Sequence, residues 1–214
     1  MNRIIRALAL VLVVSMMAFP AMAAFTPSAE QKGAPEVKET MTDSTGKKVA
    51  AVVVDKDGKE IEGVSAKDVK VESYAETVKT APKEVKEVME KAFTEISTKP
   101  LTEVAPELTK ALPEVSKDAG KEVKAENLVV RDLVHVELKP EVAELIKDGA
   151  KVAMNFDLQM EKGQTLIVMQ LIDGEWVVIY GEDVVINADG TATINLAGAG
   201  PVAFVVDSTD TAKK

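Results

Sequence analysis

One histidine, His135, is the only imidazole with which this chain could run base-assisted nucleophilic chemistry. A Ser-His-Asp arrangement would have to use it as base, yet no Gly-x-Ser-x-Gly elbow offers a nucleophile. Strand alternation sets His135 beside Val129, Arg131, Leu133 and Glu137, opposite the more apolar Val130, Val134, Val136 and Leu138. It therefore reads as an exposed or half-exposed strand residue. A lone histidine and no cysteine leave no set for a histidine- or thiolate-based metal site within one chain. The 35 acidic residues guarantee accidental carboxylate pairs. A glycosidase also needs a cleft that holds two of them, usually lined with aromatic rings. Beyond residue 23 the rings are Trp176, Tyr74, Tyr180 and four phenylalanines. Trp176, Tyr180 and Phe204 sit in strand patterns and read as core. Asp55-x-Asp57-Gly58 lacks the third acidic position and the distal Glu of a calcium loop, and reads as a turn. No catalytic, cofactor-binding or metal residue is assigned, and no cofactor is expected.

The elements that would position these residues begin after a targeting segment. Arg3 and Arg6 precede an apolar run over 7–18, Pro20 breaks it, and Ala21-Met22-Ala23 supplies the small residues a signal peptidase reads. The run is too short for a membrane span, which takes roughly 20 apolar residues. Cleavage before Ala24 removes both arginines and moves the formal net charge from −9 to −11. So acidic a chain has no electrostatic footprint for nucleic acid or anionic lipid. Without cysteine there is no lipobox, and the polar 209–214 tail offers no anchor. The expected product is secreted, extracellular or, from a Gram-negative cell, periplasmic.

Residues 24–46 are rich in Thr, Ser, Pro, Glu, Lys and Gly and read as a disordered leader. Residues 47–118 form a small α+β region. Strands are expected over 48–54, 59–64 and 68–74. Val85, Val88, Met89, Ala92, Phe93 and Ile96 then make one apolar stripe and predict a helix over 82–97. Pro100, Pro106 and Pro113 cut the next stripe into two or three short helical turns, each with a proline near its start. A break at 118–121 leads into seven short strands within 126–208, with a helical turn over 140–147. The strand over 165–171 is almost wholly apolar, as a strand buried on both faces would be.

The order Leu128-Val129-Val130-Arg131-Asp132-Leu133, Asp173-Gly174-Glu175-Trp176, Asn187-Ala188-Asp189-Gly190-Thr191 and Gly200-Pro201-Val202-Ala203-Phe204 resembles the C-terminal module of uncharacterised secreted or wall-associated proteins of Gram-positive gut bacteria. The resemblance covers 128–207. It implies an immunoglobulin-like antiparallel β-sandwich, and carries no catalytic residue. Gly200 stands where that family more often has Ser, and the family's wall anchor is missing. The expectation is thus an α+β chain ending in an immunoglobulin-like β-sandwich. It would act as an exported, non-enzymatic binding or surface-associated module for an unknown protein or glycan. The alternative is an extracellular carboxylate-based hydrolase, or an inhibitor of one.

Overall fold

The computed structural model describes residues 34–61 and 69–210. The expected signal segment (1–23), the first part of the expected leader (24–33), and residues 62–68 and 211–214 lie outside the described residues. Among the described residues no helix is long and apolar enough to cross a membrane.

The chain is a mixed α+β protein built on antiparallel sheets. In chain order it forms β1 (Met41–Thr42), β2 (Lys48–Val49), β3 (Ala51–Val54), β4 (Lys70–Ser73), α1 (Tyr74–Thr80), α2 (Lys83–Thr98), α3 (Leu101–Val104) and α4 (Leu108–Ala119). There follow β5 (Leu128–Glu137), α5 (Pro140–Lys147), β6 (Lys151–Asp157), β7 (Leu166–Ile172), β8 (Glu175–Ile179), β9 (Val184–Ile186), β10 (Thr191–Leu196) and β11 (Gly200–Asp207). One sheet has the order β4-β5-β11-β7-β8, a second β3-β6-β10-β9, and β1 pairs with β2 alone.

The two larger sheets face each other across one apolar layer. Val152, Met154, Phe156, Ile194 and Leu196 from one meet Val134, Val136, Val168, Val202 and Phe204 from the other. The Phe156 and Phe204 rings meet edge-on, centroids 5.1 Å apart. A second core lies on the opposite face of the five-stranded sheet. There Met89, Ala92 and Ile96 of α2 and Leu108, Ala111 and Val115 of α4 cover Val130, Leu133, Ile167, Met169, Trp176, Ala203 and Val205. Strand β7 is apolar except for Gln170, whose buried amide bonds Gly198 O and the Ala197 N–H, because helices bury one face and the other sheet buries the second.

This layering corrects several expectations. Trp176 is buried in a core, and that core is the one under the helices. Its neighbour Ile179, not the indole, joins Val202, Phe204 and Val206 between the sheets. The register shift between Phe204 and Val205 leaves Arg131 as an extra residue in β5. Alternation therefore breaks there: Leu128, Val130 and Leu133 face the helices, while Val134 and Val136 face the other sheet. Pro113 lies inside α4 instead of starting a turn. Its missing N–H forfeits one helical bond, which Leu108, Ala111 and Val115 offset by packing on the sheet.

The N-terminal region is woven into the same cores. Strand β3 pairs with β6 and β4 with β5, so residues of 47–118 supply an edge to each sheet as well as the helical layer. The second half of the expected leader is docked. Val37 bridges Phe156, the Asp157 amide donates to Glu36 O at 2.8 Å, and Lys38 Nζ meets Asp157 at 2.8 Å. Its few apolar residues, Val37 and Met41, each find a cluster.

Turns are set by aspartates. Asp55 Oδ1 accepts the amides of Asp57 and Lys59, both at 2.9 Å, with Gly58 at φ +77°. Asp43 repeats the device with Thr45 and Lys47 around Gly46. Ser73 and Glu76 form a capping box that starts α1.

Candidate functional site: a groove along the open edge of β8

Strand β8 is the last of its sheet. Its one face packs Trp176 and Val178 under the helices, and Ile179 turns to the other sheet. It pairs with β7, from Val168–Ile179 to Ile172–Glu175, and among the described residues no strand pairs with its other edge. Along that edge runs a groove of about 880 Å³ touched by Val177, Val178, Ile179 and Tyr180 in succession. Successive strand residues point to opposite faces, so a groove that meets four in a row approaches the strand edge-on.

One wall is Glu114 of α4. The other is the end of the four-stranded sheet, with Val54, Lys151 and Asn195, the Asp55–Gly58 turn, and Glu182 and Asp183. Lys151 Nζ meets Asp183 Oδ2 at 2.6 Å, and Asn195 Nδ2 donates to Asp183 Oδ1 at 3.0 Å, fixing this wall. Gly181 follows Tyr180 at the exit of β8, and its φ is +63°. That left-handed conformation favours glycine at this position. Five carboxylates line the groove against two lysines, and one lysine is already paired with Asp183. The groove is acidic.

The residues singled out from sequence are scattered. The Asp55–Gly58 turn lies in the groove wall, but its Asp55 carboxylate holds the turn. His135 is on β5, cross-strand to Glu72 and Pro201 and separated from β8 by β11 and β7. Burial pushes its pKa below 6.5, reinforced by Lys70 and opposed by Glu137 and Glu72. Its Nδ1 is buried without a hydrogen-bond partner among the described residues. Trp176 forms no exposed platform, being 8% accessible. Sequence reasoning does not single out Glu114, Lys151 or Asn195, because only sheet pairing and helix docking bring them to β8.

A smaller depression of about 440 Å³ lies beside Arg131 and the 159–165 connection. Arg131 Nε lies 3.3 Å from Asp132 Oδ2, and burial pushes the Asp132 carboxyl up against that arginine's pull. A third, of about 580 Å³, opens between the β3 and β4 edges. The third also borders edge strands, but it carries only Glu36 and Glu76 against Lys70 and lacks the acidity of the β8 groove. Comparison with known proteins found no matching family model, no similar curated protein and no similar solved structure.

Proposed function

We propose that the chain is an exported, non-catalytic binding module that takes its ligand in the groove along β8. The observation that carries this reading is the open strand edge, a row of backbone donors and acceptors left for another molecule to pair with. Residues 3–23 support export, and the position of the single imidazole, separated from β8 by two strands, supports binding without His-assisted chemistry. The division of the seven strands after residue 126, four in one sheet and three in the other, supports an immunoglobulin-like module. The quoted motifs fall on the β7–β8 turn, the β9–β10 turn and β11, and support kinship with secreted and wall-associated proteins of Gram-positive gut bacteria.

The test is a glycan and peptide array probed with the full chain and with Glu182→Lys, alongside turnover assays on the same ligands. Binding weakened by Glu182→Lys without turnover is the expected result. Turnover abolished by one Asp or Glu substitution would make the protein a hydrolase instead.

A further inference from the structure

We propose that the occupant of the groove is an extended cationic peptide that adds to the five-stranded sheet as a sixth strand beside β8. This rests on the binding-module reading above and names its ligand class.

Backbone geometry limits what can fit. The floor is the unpaired edge of a five-residue strand, about 17 Å at ~3.4 Å per residue. An extended peptide of five or six residues matches that length and offers the complementary amides and carbonyls. Its side chains would alternate between the two walls. Those directed to the four-stranded sheet meet Asp57 and Glu182, and those directed to the helices continue the apolar face of Trp176 and Val178, with Glu114 at the rim.

Charge selects among peptides. With Asp183 and Lys151 paired to each other, four carboxylates remain against one lysine, so the walls attract Lys or Arg and repel Asp or Glu. The same charge opposes edge-to-edge pairing of two copies of this chain, since each would bring an acidic groove to the other. Cations at alternate positions, with apolar residues between them, satisfy both walls.

Two blocked hexapeptides test this: alternating Lys-Val and alternating Glu-Val, titrated into the full chain by calorimetry. The Lys-Val peptide should bind at least about ten-fold tighter than its acidic counterpart at low salt, and lose most of that advantage near 0.5 M salt. Glu182→Lys with Asp57→Lys, both at exposed positions, should reverse the preference while leaving the melting temperature unchanged. Added-strand pairing is read separately with two N-methylated Lys-Val peptides. Methylation of one alternate set of amides should abolish binding, and methylation of the other should spare it.

Equal binding of both N-methylated forms would overturn the added strand, and equal binding of both charge types would overturn the cationic ligand. Concentration-dependent dimerisation through β8 in sedimentation would overturn it in favour of a second copy. A glycan that binds and is displaced by the groove substitutions would defeat this proposal and leave the binding module standing. If no probe binds and the array is blank, both fall.

Discussion

The indole Nε1 of Trp176 donates to Oε2 of Glu95 at 3.0 Å, tying strand β8 to helix α2 across 81 residues of sequence. The ring is packed within the helix–sheet core and its one polar atom is satisfied, so its role is to hold the helical layer onto the sheet edge. Trp176→Ala should cost about 3–5 kcal/mol, severe against a typical domain stability of about 5–15 kcal/mol. Glu95→Ala should cost about 1–3 kcal/mol by leaving the buried N–H without its acceptor. Blue-shifted emission that resists acrylamide until unfolding would accord with this; emission like free indole would refute it.

The shared cores carry a consequence for dissection. A fragment of residues 124–214 lacks β3, β4 and all four helices of the covering layer, and exposes Val130, Ile167, Met169, Trp176 and Val205 to water. It should show no cooperative melting transition and should bind hydrophobic dyes. A sharp transition with the tryptophan still shielded would show that the seven later strands fold without their cover.

Stability should fall in mild acid. His135 has a folded pKa below its ordinary 6.5, because burial disfavours the imidazolium more than Glu137 and Glu72 favour it, and Lys70 adds to the depression. The unfolded chain therefore binds the proton first. Stability present above pH 6.5 is lost as pH falls toward the folded value. Asp132 works in the opposite sense. Its raised pKa favours the protonated form when folded, contributing stability at low pH that is lost as pH rises through the folded value. His135→Gln should flatten the melting temperature below pH 6.5, and Asp132→Asn should flatten it near the carboxylate range. Unchanged profiles in both variants would contradict these assignments.

Lys121 locks the segment between α4 and β5 to the end of the chain. Its ammonium bonds Asp207 at 3.2 Å and also contacts Asp210, whose other oxygen accepts the Thr165 amide at 2.7 Å. The Asp207 side chain is only 1% exposed. Burial would raise its pKa, but the Thr209 hydroxyl and amide together with Lys121 outweigh that and hold it low. Lys121→Met should destabilise by about 1–3 kcal/mol at neutral pH, since a buried carboxylate loses its counter-ion, and by less in acid. A loss of the same size at every pH would show that the lysine acts through packing alone.

The local elements were readable because local patterns write them. The 3.6-residue stripe around Met89, Ala92 and Ile96 marks α2, Pro140 marks the start of α5, and Asp-Gly pairs mark the hairpins. The layering was not. The apolar run over 165–171 signalled a strand covered on both faces, but nothing local says that α2 and α4 provide one cover. The bulge at Arg131 is equally silent, since one unpaired residue reverses the faces of a strand without changing its composition. Val37 and Met41 were too sparse to mark a docked leader. Of the groove, the sequence marks the Asp55–Gly58 turn and Tyr180, the latter as a core residue. Glu114, Lys151, Asn195 and β8 are neighbours because of pairings between distant segments.

Amide hydrogen exchange of β8 with and without bound ligand addresses the central claim most directly. If the open edge is the binding surface, the amides within 177–180 that exchange fast in the free protein should slow on saturation with the Lys-Val hexapeptide, while those of β9 stay as they were. Unaltered exchange along β8 in a saturated complex, with protection appearing at another surface, would contradict it.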